Sequence, residues 1–450
     1  MNGKRLKVNK GFLFIATSIL LASSNVMVQA QSLSKTNRQK VEADVRGITI
    51  PAGYTQNLHW DLPLDSVGKS GSLITWKSAN PKYIDNKGRL VKLSPRSGAK
   101  INVLLSATVQ SGTEKRSKTF KVIVAHQEQH YDGYLFTYFE GSGPGEQQEQ
   151  LRFGASADAV HWSALNNNQP VVASSEISAT GGIRDPHILR GEDEKTFYLV
   201  ATDMHTTKDG WDYNPGITML KSTDLIHWTH GIINLEKAYP QKFPNVKWVW
   251  APQTIYDPAA GKYMVYFTVR QKDNPALDFY CAYANQDFTG FEAEPKLLFK
   301  AKYGAIDGDI IYKNGLYHFF YKGNTKNGEG KEVANGIQQA IGKTLHGPWI
   351  EDFKYVDAYS AKKVSVEGSG IFKLNNLEEF ILMYDLYRDH RYEFQRSADL
   401  FNFSQTPESF TKNFNPRHGT VISLTRQEAE RLNKQWGGVP AELLGKKASD

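Results

Sequence analysis

The feature that most constrains this chain is a fivefold repeat. Ser156-Ala157-Asp158-Ala159-Val160-His161-Trp162 returns as Ser222-Thr223-Asp224-Leu225-Ile226-His227-Trp228, and related turns end at Phe291, Trp349 and Phe403. The aromatic anchors stand 66, 63, 58 and 54 residues apart. A unit of this length, repeated five times, is a supersecondary element that buries its faces only by stacking on its neighbours. Ahead of the anchors lie bulky runs such as Lys262-Tyr263-Met264-Val265-Tyr266-Phe267 and Tyr280-Cys281-Ala282-Tyr283-Ala284, which read as strands. Four copies carry a further short strand upstream, opening around Asp185, Pro252, Asp307 and Glu367. The first copy lacks one, and Arg417-His418-Gly419-Thr420-Val421-Ile422, beyond the last anchor, can supply it. Pairing the two ends of the chain in one blade closes the ring and removes its open edges. The expected fold is therefore all-β, a five-bladed β-propeller over residues 131–424 with a C-terminal tail at 425–450.

The region before residue 131 is of another kind. Residues 1–30 have the pattern of a secretory signal peptide: a basic stretch ending at Lys10, an apolar core over 11–21, and Val28-Gln29-Ala30 before Gln31. The apolar run falls short of the roughly 20 residues a membrane span needs, and no cysteine follows it to carry a lipid. Export to the periplasm or medium as a soluble monomer is expected, with no membrane partner. A polar linker is expected over 31–40. Short alternating runs at 47–51, 73–76, 88–91, 101–105 and 119–124, separated by Gly, Pro, Asn and Ser, then predict a small β-sandwich over 41–126.

Composition closes some doors. The single cysteine, Cys281, lies in an apolar strand-like run and excludes an intramolecular disulfide. The net charge of +7 is spread along the chain, without the basic face interleaved with aromatics that nucleic-acid binding requires. Nine Trp, 22 Tyr and 23 Phe suit both strands and a site that stacks sugar rings.

In a propeller the first strand of each blade lines the axis, so the residues opening those strands meet at one spot. Here they are Asp185, Gln253, Asp307, Glu367 and His418. Burying three carboxylates without a task would cost several kcal/mol each in the absence of compensating cations. Paired carboxylates are the equipment of glycoside hydrolysis, one ionised to activate water and the other protonated to donate to the leaving oxygen. A third raises its neighbour's pKa by like-charge repulsion.

The order Arg184-Asp185-Pro186, Val249-Trp250-Ala251-Pro252, Ala305-Ile306-Asp307, Lys313-Asn314-Gly315-Leu316-Tyr317 and Val366-Glu367-Gly368 resembles family 43 of the glycoside hydrolases over roughly 131–424. Ile74-Thr75-Trp76, Asn86-Lys87-Gly88 and the closing Phe-x-Val-x-Val run resemble the bacterial immunoglobulin-like modules that precede some secreted carbohydrate-active enzymes. The family resemblance implies that Asp185 is the general base, Asp307 the residue tuning and orienting the acid, and Glu367 the general acid. Asp309, two residues on, projects to the same side of the strand and is the alternative to Asp307.

The family inverts, which implies a single displacement with the two catalytic carboxyls about 6.5–9.5 Å apart. It implies plant polysaccharides containing arabinose or xylose as substrate, with exo-acting α-L-arabinofuranosidase preferred over β-xylosidase, endo-arabinanase or galactanase. No cofactor is required, and the resemblance admits a calcium ion near the axis, shared with His418 through water. For substrate binding, Trp250 is an apolar wall or core packing, Gln253 and His418 sit at the axis, and Arg388 and Arg391 reach sugar hydroxyls or form a surface turn. Loops at 206–215, 273–278 and 324–335 are expected to decide the sugar. A sialidase fits less well, because the repeat lacks the Gly of its Asp boxes and the axis offers acids in place of clustered arginines. A propeller that binds sugar without catalysis need not keep the three acids together.

Overall fold

The computed structural model describes residues 36–94, 100–125, 130–141, 147–323, 335–408 and 410–445. The expected signal peptide and most of the 324–335 loop lie outside them. The chain divides into two units, residues 1–127 and 128–450.

In the first unit, β1 (Leu73–Ser78), β2 (Ile101–Ser111) and β3 (Glu114–Val124) form one antiparallel sheet in that order. Val103, Leu105, Ala107 and Val109 alternate along β2 and are all fully buried, so one face of the sheet carries the core. Part of what covers that face is helical, since residues 36–47 form a helix whose Val41, with Ile48 just past its end, packs against Ile74, Ala107 and Val109. The linker expected over 31–40 is thus corrected: residues 31–35 lie outside the described residues, and 36–40 belong to this helix. Val41 and Val45 stand one turn apart on its buried side, and Arg38 pairs with Glu42 one turn on at 2.9 Å. Two of the five expected strands do not form: residues 47–51 lead into a short helix, Ala52–Gln56, and 88–91 make only the isolated bridge Ile84–Leu90.

The second unit is the propeller. Blade 1 holds β4 (Gly133–Tyr138), β5 (Arg152–Ser156) and β6 (His161–Ala164); blade 2 holds β7 (Ile183–Arg190), β8 (Phe197–Asp203), β9 (Gly216–Ser222) and β10 (Thr229–Asn234). Blade 3 holds β11 (Val246–Asp257), β12 (Lys262–Gln271), β13 (Asp278–Tyr283) and β14 (Lys296–Phe299). Blade 4 holds β15 (Ala305–Lys313), β16 (Leu316–Gly323), β17 (Gly336–Gly342) and β18 (Trp349–Asp352), and blade 5 holds β19 (Glu367–Lys373), β20 (Phe380–Leu386) and β21 (Arg391–Ser397). The chain then returns to blade 1, where β22 (Thr411–Lys412) pairs with β6 at the outer edge and β23 (Thr420–Leu424) with β4 at the inner edge. The sheet expected from joining the two ends of the chain is therefore present.

Strands buried on both faces explain the bulky runs. Along β8, Phe197, Leu199 and Ala201 enter a core shared with blade 1, whereas Tyr198 and Val200 enter one shared with blade 3. Each of the five blade-to-blade junctions has its own apolar cluster. The repeat's Asp builds the turn between the third and fourth strands. Asp224 Oδ1 accepts from the backbone of Ile226 and His227 at 2.9 and 2.8 Å, its Oδ2 lies 2.8 Å from His227 Nδ1, and Ser222 Oγ donates to Oδ1 at 3.0 Å. Asp158 and Asp399 repeat the arrangement.

Within the C-terminal tail expected over 425–450, residues 425–445 are packed against the propeller. Arg426–Trp436 is a helix opened by a complete capping box between Thr425 and Glu428, and Ala429, Leu432 and Leu443 are buried in the core between blades 1 and 2. Arg190 of β7 grips Glu428 through both amino groups at 2.7 and 2.8 Å. Replacing Glu428 by Ala leaves a buried guanidinium half-partnered, and chemical denaturation is expected to show a loss of about 3–5 kcal/mol relative to the parent.

Candidate active site

The inner strands neighbour one another in the order β23, β7, β11, β15, β19 and back to β23, so their openings ring the axis. Four of those openings share one irregularity. Pairing with the second strand slips between Arg184 and His187, Trp250 and Gln253, Ile306 and Asp309, and Glu367 and Gly370. Inside each slip one residue has a positive φ: Asp185 (51°), Ala251 (45°), Asp307 (51°) and Gly368 (68°). A non-glycine residue pays strain for this conformation, and such strain collects where a side chain must be aimed. Gly368 is needed for a second reason, since a Cβ there would lie 3.0 Å from the Cβ of His418.

The bulge sorts the five axial residues by depth. Asp185 and Asp307 occupy the bulge itself, Glu367 precedes it by one residue, and Gln253 follows it by two, level with His187 and Asp309. Asp307, Gln253 and His418 are buried, whereas the side chains of Asp185 and Glu367 keep 15% and 24% of their surface exposed. The two acids that solvent can reach are thus Asp185 and Glu367.

His418, two residues ahead of the closing strand, sits among the acids, with Nδ1 3.3 Å from Asp185 Oδ1. Burial opposes its charge, but the pairing with Asp185 and the charges of Asp307 and Glu367 outweigh burial and raise it to about 9. Burial likewise opposes charge on Asp185, yet His418, Arg184 and the Thr202 hydroxyl hold that carboxyl below its ordinary range. Thr202 Oγ1 donates to Asp185 Oδ2 at 3.1 Å and itself accepts from Ala251 N at 2.9 Å, so blade 3 orients a carboxylate of blade 2. Asp307 goes the other way. Burial pushes it up to about 6, with His418 opposing and the charges of Glu367 and Asp185 adding to the rise. Its Oδ2 accepts from Gly368 N at 3.0 Å, which ties it to the residue after Glu367.

Asp309 faces a different environment. Its Oδ2 accepts from Ile371 N at 2.8 Å, and its Oδ1 lies 4.0 Å from His187 Nε2, in the layer beneath. Burial pushes it up to about 7.

Glu367 stands between two cations, Lys322 Nζ at 3.4 Å and Arg417 Nη2 at 3.5 Å. Arg417 also hydrogen-bonds Asp385, the partner of Glu367 across the β19–β20 ladder. Burial pushes Asp385 up to about 6 despite Arg417. Sequence reasoning passed over Lys322, Arg417 and Asp385. The available signal was an Asp inside the otherwise apolar run of β20, Phe380–Leu386, which must find a cation when buried.

Trp250 is half-buried, stacked on Trp248 at 4.1 Å with its Nε1 donating to Asn214 Oδ1 at 3.0 Å. Arg388 and Arg391 border the β20–β21 turn at the Glu367 end of blade 5. Arg391 pairs with Glu393 at 3.2 Å, and neither arginine is ion-paired with the three axial acids. Among the described residues, no three His, Cys, Asp or Glu side chains are grouped to hold a metal ion. An imidazolium at the axis is a poor neighbour for calcium, which takes oxygen ligands.

A family model described as a probable glycosyl hydrolase domain, of the family-43-related kind, matches residues 129–430, and one of an atrophied bacterial Ig domain matches 41–127. An α-L-arabinofuranosidase of Bifidobacterium longum subsp. longum is 26% identical over 369 residues, covering 72% of this chain and 34% of that protein. The chain therefore spans about a third of the length of the curated relative it matches. Among solved structures, an endo-arabinase from Bacteroides thetaiotaomicron matches at 14% identity and TM-score 0.43 over 66% of this chain and 95% of that one. An α-L-arabinanase of Cellvibrio cellulosa matches at 14% identity and TM-score 0.42 over 60% and 89%.

Two outcomes test the site's electrostatics. Arg417→Met strands Asp385 and is expected to cost about 3–5 kcal/mol in denaturation, while the double variant with Asp385→Asn regains most of that stability. For Asp309, a folded pKa above the unfolded value means that its stabilising contribution is complete below about pH 4 and lost as pH rises through about 7. Asp309→Asn should therefore melt higher than the parent at pH 8, by roughly 2–4 °C, with the gap closing towards pH 4.

Proposed function

The chain belongs to the family of glycosyl hydrolase domains related to family 43, and on that footing we propose that it is an inverting, exo-acting α-L-arabinofuranosidase. The observation that carries the reading is the meeting of Asp185, Asp307 and Glu367, from three blades, around the imidazolium of His418.

Asp185 is the general base. It is already ionised at mildly acid pH, aimed by Thr202, and exposed enough to hold a water against the anomeric carbon. Glu367, the more exposed acid, donates its proton to the glycosidic oxygen on the opposite face of the sugar. As that proton leaves, Lys322 and Arg417 stand where the carboxylate charge appears and stabilise it without moving. Asp307 is the modulator. Burial raises its carboxyl to about 6, and the charges of Glu367 and Asp185 add to the rise, so it feels the charge of both acids it lies between. Asp309 lies one layer deeper, paired with Ile371 N, which favours Asp307 for this part.

The name of the bifidobacterial relative favours arabinofuranose as the sugar released. The pattern of residues 1–30 supports export, which would place the enzyme with extracellular plant glycans.

The test is turnover of aryl α-L-arabinofuranoside and aryl β-D-xyloside panels by the full chain. The arabinofuranoside should be preferred, and proton NMR at early times should show the inverted anomer. Asp185→Asn and Glu367→Gln should each lower kcat by about 10²–10⁴ with the fold intact. Retention of configuration would overturn the inverting mechanism, and sugar binding without turnover on any panel member would make the propeller a binding module.

A further inference from the structure

Beside the catalytic opening lies an aromatic surface that the chemistry above does not use. Trp211 is 53% exposed, in the β8–β9 loop that leaves blade 2 at the end where Asp185 enters. This exposure is not slack in the loop. Trp248 Nε1 donates to Trp211 O at 2.6 Å, Asn214 N donates to Lys247 O at 2.9 Å, and Val249 N donates to Asn214 O at 2.7 Å. The loop is laid along β11 as a short parallel extension, which fixes the backbone that carries the ring.

One face of that ring is occupied. The Arg184 guanidinium sits 4.8 Å from its centroid, fixed in turn by Glu149 at 2.8 Å, and Trp250 meets the ring edge-on at 6.3 Å and 85°. The exposure therefore belongs to the rest of the ring, within reach of the opening, because Arg184 precedes Asp185 and Trp250 precedes Ala251. Asp212, with 92% of its side chain exposed and its carboxylate 3.1 Å from Lys247 Nζ, adds a hydrogen-bonding rim.

Leaving half an indole in water forgoes the burial it would have in a core. A rigid, half-exposed aromatic edged by polar groups matches a sugar ring, which offers an apolar C–H face and a polar circumference. Because the ring is already held, binding need not order it first.

We propose that Trp211 stacks the sugar residue adjoining the one released, so that the protein selects pentose oligosaccharides over single glycosides. The sugar class rests on the glycosidase reading above; the stacking does not require turnover. The test measures kcat/KM on methyl α-L-arabinofuranoside and on α-L-arabino-oligosaccharides of three or more residues, for the full chain, Trp211→Ala and Trp211→Phe. In parallel, calorimetry follows oligosaccharide binding to Asp185→Asn with and without Trp211→Ala. The Ala variant should lose about tenfold on the oligosaccharides and less than about twofold on the methyl glycoside, with Phe restoring most of the loss. Calorimetry should show a matching drop in affinity. Equal losses on both substrates would mean that the ring acts through Arg184 and would overturn the proposal, as would no loss on either. If the parent hydrolyses nothing but Trp211→Ala still weakens oligosaccharide binding, the glycosidase reading fails and the stacking site stands. No oligosaccharide binding at all would overturn both.

Discussion

Ring closure by β23 is the interaction on which the rest of this structure depends. A propeller with a missing inner strand would expose the edge of β4 and leave the junction between blades 1 and 5 unpaired at the axis. The segment that leads into this strand also carries Arg417 and His418, the cations facing Glu367 and Asp185. Thr420 continues the bond into blade 2, where its Oγ1 accepts from Ile188 N at 2.8 Å, on the strand that holds Asp185. Completing the fold and completing the charge balance of the site are one event, because a single segment does both.

That balance is what lets three carboxylates share a small, poorly solvated space. Their mutual repulsion and lost hydration would otherwise drive protons onto all of them. The imidazolium and its neighbours divide the outcome instead: Asp185 stays ionised, Asp307 is raised to about 6, and Asp309, one layer deeper, is raised by burial to about 7. The aiming is done by the backbone. Bulges with positive φ at Asp185 and Asp307 turn these side chains out of the regular pleat, a distortion tolerated because a hydrogen bond holds each one, from Thr202 of the same blade and from Gly368 N of the next.

The repeat was legible because it is local. Each copy needs its own Asp turn, and Asp158, Asp224 and Asp399 bond to backbone groups two and three residues on, so the signal survives in any short stretch of chain. Less legible was whatever depended on a distant partner. The segment at 425–445 reads as a polar tail until Arg190 is placed against Glu428 and Leu432 against blade 1. Residues 36–40 read as a linker until the buried face of the first sheet demands a cover. Gln253 opens a strand like the acids, yet the register slip at Trp250 carries it two residues below their level.

By itself the sequence determined the number of blades, the closure of the ring and which acids come to its axis, since all three follow from spacing along the chain. Only the tertiary structure decided how those acids differ. Depth, charge and orientation at one point come from Thr202, Lys322, Asp385 and Arg417, on segments far apart in sequence, and electrostatic energy depends on distances in space that no local pattern encodes.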